Sequence, residues 1–145
     1  MGRLKHIKAF LAVFVLTIFL STSAWGKLCN QNQLHEIKIT TAESRYITFN
    51  RAVHILCGDK TGGGHFYPGH RGKTAFPKDW TIRDILTSIE EIVANTPAYD
   101  WYGPQSNGNY YTVWKGYRAD GEKTVITMKV VIRKDCMVVT AYPQR

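Results

Sequence analysis

Apolar positions recur most regularly between residues 82 and 93, where Ile82, Ile85, Leu86, Ile89, Ile92 and Val93 fall three and four residues apart. That spacing collects them on one face of an α-helix and predicts a core helix over about residues 81–94. Thr81 is placed to cap it, Asp84 puts a carboxylate near its positive end, and Asn95-Thr96-Pro97 stops it. Beyond residue 110 the period drops to two. Ile126, Met128, Val130 and Ile132 alternate with Val125, Thr127, Lys129 and Val131, which predicts the middle strand of a three-stranded antiparallel meander over 110–118, 123–133 and 136–142. The turns fall at 119–122 and 134–135, and the face of Ile126 to Ile132 is expected to meet the core helix. In the last strand Val138, Thr140 and Tyr142 are expected on one side, opposite Met137, Val139 and Ala141, so that Thr140 and Tyr142 present two hydroxyls together.

The first half is less regular. Residues 50–56 read as a short helix capped by Asn50, with Ala52, Val53 and Leu56 on one side and His54 turned partly away. Gly58 ends it as a residue free to adopt the left-handed conformation. Residues 27–50 read as a short helix or an extended arm, with Leu34, Ile37 and Ile39 as apolar contacts. The loop from Ala98 to Asn109 carries Tyr99, Trp101 and Tyr102, which either pack it onto the sheet or offer rings for bases to stack on. Nothing repeats internally and no segment is low in complexity. The fold class is α+β, with N-terminal helices packed on a C-terminal antiparallel β-sheet.

At 145 residues, 44% of them apolar, the chain suits one domain after a leader. Arg3, Lys5 and Lys8 form a basic start, Ala9 to Leu20 an apolar run, and Ser21 to Gly26 a small-residue stretch, the pattern of a secretory signal peptide over residues 1–26. Cleavage is expected after Gly26, or next after Ala24. The twelve-residue apolar run is shorter than the ~20 residues of a membrane span, so no stable span is expected once the leader is removed. Residues 27–50 would then form an N-terminal arm and 51–145 the functional domain, secreted or periplasmic. Loss of residues 1–26 removes three of 19 basic residues and none of 11 acidic ones, which lowers the net charge from +8 to +5. A surplus of that sign attracts polyanions but decides little alone. Cys29, Cys57 and Cys136 allow one disulfide with one thiol left over, and Cys29 with Cys57 is one such pairing.

The unusual chemistry lies between Val53 and Trp80, which hold three of the five histidines and six of the twelve glycines. Imidazole titrates near neutral pH, so two histidines facing one bond can serve as base and acid. Cleavage of RNA by its own 2′-hydroxyl needs that pair, together with a cation or amides on the phosphate as charge builds. His54, His65, Lys73 and the glycine amides of 62–64, Gly63 and Gly64 among them, supply these parts without a metal. Thr140 and Tyr142 add donors and a ring. A competing reading has His65, His70 and Asp59 binding zinc, although their spacing matches no HExxH-type pattern. The chain also lacks the order of a Walker loop and a GxSxG elbow. The non-enzymatic alternative is an exported module that binds nucleic acid or another polyanion.

The order His54-Ile-Leu-x-Gly-Asp, Gly62-Gly63-Gly64-His65, Gly72-Lys73-Thr74-x-Phe76-Pro77-x-x-Trp80, an amphipathic helix and a closing Val-Thr140-Ala-Tyr142-Pro143 resembles the bacterial EndoU nuclease family over about residues 51–143. The resemblance implies a fold of the barnase, EndoU, colicin and RelE type. It implies an endoribonuclease that leaves 2′,3′-cyclic phosphate ends, with catalytic residues corresponding to His54, His65 and Lys73, and with Thr140 and Tyr142 binding phosphate and base. His65 is then expected as base and His54 as acid, with His70 as an alternative for the second role. The family's use of manganese in some members implies stimulation by that ion rather than a requirement. The implied partners are RNA, transfer RNA in some members, and an immunity protein where the nuclease is a toxin. A leader in place of a delivery domain is a departure from the toxin arrangement.

Overall fold

The computed structural model of the chain describes residues 29–116 and 124–145. The leader and the turn expected at 119–122 lie outside those residues. Among the described residues three helices precede a three-stranded antiparallel sheet, an α+β arrangement as the periodicity predicts: α1 (Gln31–Ala42), α2 (Phe49–Cys57), α3 (Ile82–Asn95), β1 (Tyr110–Gly116), β2 (Ile126–Ile132) and β3 (Val138–Pro143). A single 3-10 turn, Ala98–Asp100, lies between α3 and β1. The sheet order is β1-β2-β3. Among the described residues no helix is long and apolar enough to cross a membrane.

Side-chain caps set where the helices begin. Asn30 accepts from the Gln33 amide while the Gln33 side chain accepts from the Asn30 amide, and Thr81 and Asp84 exchange the same pair at α3. At α2 the cap is Thr48, not Asn50: the Thr48 hydroxyl accepts from the Arg51 amide, which adds a turn's start to the helix. Gly58 ends α2 at φ 82° and ψ 163°, so its φ is positive as expected but its ψ is extended rather than left-handed helical.

One core joins both layers. Ile55 and Leu56 of α2, Ile85, Leu86 and Ile89 of α3, and Met128, Val130 and Ile132 of β2 are all buried in it. Between the two arm options the chain forms a helix, α1, and packs it against α2 and α3 through Ile37, with Leu34 at the margin. Ile39 is 48% exposed and makes no core contact of the kind expected, because helical spacing turns it about 160° from the buried stripe when Ile37 faces inward. The Cys29–Cys57 disulfide fastens the start of α1 to the last turn of α2, and Cys136 is a free, exposed thiol in the turn before β3 rather than the first residue of the strand.

The last strand departs from simple alternation. Val131 pairs with Thr140 but Ile132 pairs with Val138, so Val139 is an extra residue that bulges the strand. Val138 and Ala141 therefore both face the core, and Val138 does not share the side of Thr140 and Tyr142. The bulge leaves Thr140 and Tyr142 together on the open face, as the alternation expected of those two.

Candidate functional site

The segment between α2 and α3 folds back onto the end of α2. Its amides bond to the last carbonyls of the helix: Gly64 donates to His54 O at 3.0 Å, which the Gly58 amide also reaches, and His65 to Ile55 O at 2.8 Å and Phe66 to Leu56 O at 3.0 Å satisfy two that the terminus would leave open. Gly63 makes this approach possible. Its φ is +76°, and a Cβ there would lie 1.8 Å from the His54 carbonyl oxygen. Farther along, Phe76 and Trp80 are fully buried with stacked rings, the Phe76 amide donates to His65 O at 2.7 Å, and the Trp80 indole donates to Thr124 O at 2.9 Å. The loop is thus pinned at both ends, with Lys73 and Thr74 held at its outer turn.

A groove of about 860 Å3 opens where this loop meets β3. It is lined by His54, His65, Lys73, Thr140 and Tyr142, with Thr61, Gly62, Gly63 and the chain end around them. Five of the residues singled out in the sequence therefore meet in one place although the last lies 88 residues after the first. Gly63 also lines the groove. Gly64 does not, and its amide is already bound to His54 O, as the Gly62 amide is to Asp59 O. His70 is exposed and outside the groove lining. Among the described residues no group of three or more His, Cys, Asp and Glu side chains could hold a metal ion, so Asp59, His65 and His70 do not form the ligand set considered for zinc.

The two imidazoles are held differently. His65 is buried and its Nδ1 lies 2.6 Å from the Thr74 carbonyl oxygen. A carbonyl only accepts, so Nδ1 carries a hydrogen, and in the neutral ring the lone pair is on Nε2. Burial lowers the pKa of His65, and the positive charges of Lys73 and His54 push it the same way, against the opposing effect of the Thr74 hydrogen bond. The Tyr142 ring stacks on His65 with centroids 5.6 Å apart. His54 sits in the last turn of α2 and points its Nδ1 at Asp59 Oδ2, 2.9 Å away. Asp59 in turn accepts from the hydroxyl and the amide of Thr61, and its pKa falls to about 2, chiefly through the Thr61 hydroxyl.

As partners of His54, Asp59 and Thr61 are not legible in the sequence, where Asp59 stands only as a candidate metal ligand and as the close of the His54-Ile-Leu-x-Gly-Asp motif. An Asp-x-Thr turn starting five residues after a helical histidine was the available signal. Gln144 and Arg145, which also line the groove, gave none. Among known proteins, the family model for the bacterial EndoU nuclease matches residues 68–145. No curated protein and no solved structure gives a significant match. The matched span holds Lys73 and the closing Thr140-x-Tyr142 but begins after His54 and His65, which geometry alone brings to the same groove. With just over half of its length matched, the chain belongs to the bacterial EndoU nuclease family.

Proposed function

We propose that this nuclease is an exported endoribonuclease that cleaves RNA by attack of the 2′-hydroxyl and leaves a 2′,3′-cyclic phosphate. Family membership makes the chain a nuclease acting on nucleic acid. The observation that carries the finer reading is the unequal pair of imidazoles in one groove, one with its Nδ1 held by a carbonyl and one with its Nδ1 paired with a carboxylate. In this reading His65 Nε2 takes the 2′ proton as the 2′ oxygen bonds to phosphorus. The bond from phosphorus to the 5′ oxygen breaks, and protonated His54 gives its proton to that oxygen. Lys73 stabilises the charge that develops on the non-bridging oxygens, and the Gly63 amide is a second donor beside it. Thr140 and Tyr142 hold phosphate and base, with His70 taking no part. No step needs a metal, and manganese would act only as a stimulant.

Export is supported by the leader pattern of residues 1–26 and by the Cys29–Cys57 disulfide, which suits an oxidising compartment. A role as a toxin neutralised by an immunity protein, with transfer RNA as target, rests on the resemblance alone.

The test incubates the purified protein with labelled RNA and matched DNA in chelator and identifies the product ends. Cleavage of RNA alone, with cyclic phosphate ends and none from the His65→Ala protein, is the expected result. Absence of cleavage on total RNA, transfer RNA and uridine-rich RNA, with manganese supplied, would sink the reading in favour of a module that binds nucleic acid.

A further inference from the structure

On the open face of the sheet, aromatic rings and one cation run outward from the groove. Tyr142 on β3 is the direct cross-strand partner of Lys129 on β2, which places both on the face away from buried Met128 and Val130. The Lys129 ammonium lies 4.3 Å from the centre of the Tyr111 ring on β1. Tyr102, in the loop beside β1, stacks on Tyr111 with centroids 5.4 Å apart and planes at 22°, and its backbone pairs with that of Tyr111 in both directions. The row is thus continuous from His65 through Tyr142, Lys129 and Tyr111 to Tyr102, which is 62% exposed. The positions of this face in the three strands include no Asp or Glu.

We infer that this row is a binding track for single-stranded RNA, holding nucleotides that flank the cleaved phosphate. The inference rests on the ribonuclease reading of the groove, with which the track is continuous. The exposed ring of Tyr102 accepts the face of a base that is not already stacked in a duplex, and the Lys129 ammonium beside Tyr111 meets the intervening phosphate. Lys129 is held over Tyr111, so its charge stays on the sheet instead of ranging through solvent. The free outer face of Tyr102 receives the base farthest from the groove. Such a surface tolerates sequence, since every base offers a π face, while Thr140 and Tyr142 read the nucleotide at the cleavage point.

The test measures binding of a mixed-sequence 2′-O-methyl hexanucleotide, which cannot be cut, and of the dinucleotide from its centre. Tyr102→Ala is expected to weaken hexanucleotide binding about fivefold or more, the size of one lost stacked base. Tyr102→Phe keeps the ring and is expected to bind as the parent does. Lys129→Gln is expected to lower the dependence of log affinity on log salt by about one contact. In both Tyr102→Ala and Lys129→Gln the hexanucleotide should lose more than the dinucleotide. Because the backbone pairing of Tyr102 with Tyr111 does not use the side chain, the Ala variant retains the local fold. Hexanucleotide binding unchanged in Tyr102→Ala and Lys129→Gln, or equal competition by a duplex of the same sequence, would overturn the track. If those variants bind normally while the parent cleaves RNA, the track falls and the nuclease chemistry stands. If the parent cleaves no RNA yet Tyr102→Ala loses binding, the track stands and the 2′-hydroxyl reading falls.

Discussion

The Nδ1 of His54 meets a carboxylate and the Nδ1 of His65 meets a carbonyl, and that difference sets what each ring can carry. A general base must be unprotonated in the free enzyme, so a lowered pKa extends activity toward acid. The acidic limb of kcat/KM against pH is therefore expected below the ordinary imidazole value of about 6.5, and a limb at or above that value would remove His65 as the base. In the proposed reaction Asp59 acts through His54, as a positioning residue. Asp59→Asn keeps the shape but loses the charge, and is expected to cost on the order of tenfold in kcat/KM, part of what a general acid supplies. The same change made in a His54→Ala protein is expected to cost nothing further, which a merely structural loss would not do. Folding carries a second signature of the same carboxylate. With the native pKa near 2 and the unfolded value near 3.8, Asp59 contributes stability that is complete above the unfolded value and fades as pH falls toward 2. The stability gap between parent and Asp59→Asn, followed by denaturant titration, should close over that interval. The residues with reactive side chains were readable from the sequence by type and order. The groups that fix their tautomers were not, since the carbonyl of Thr74 acquires its role only through the path of the loop.

Among the elements, α3 was legible almost to the residue because its period is long and its cap is chemical. The start of α2 was misread because Thr48 and Asn50 are both good caps, and only packing selects between them. The bulge at Val139 was invisible for a different reason. One extra residue in a strand leaves the alternation of the sequence intact while reversing which side Val138 faces. The contact between the glycine loop and α2 is equally silent in the sequence, yet it is demanding in the structure. Gly63→Ala must displace either the loop or the helix carbonyl it touches. A loss of at least about 2 kcal/mol in thermal or denaturant unfolding is expected, the range of strained backbone positions. Cleavage should fall with it even at temperatures where the protein remains folded.

Across the whole molecule the disulfide ties α1 to the helix that carries His54, over a separation of 28 residues. Replacing Cys29 and Cys57 by Ser is expected to cost about 2–4 kcal/mol, read as a lower Tm that reductant no longer changes. An unchanged Tm would mean that α1 is held by packing alone. The pairing was one of several that three cysteines permit, and only the proximity of the two helix ends selects it. The back-folded loop has a further result for how the molecule opens. The amides of Gly64, His65 and Phe66 are bonded to carbonyls of α2, so they should exchange with deuterium at the rate of the helix rather than of a surface loop. The two imidazoles should then be lost in the same opening event, so that partial unfolding would remove the proposed base and the proposed acid together.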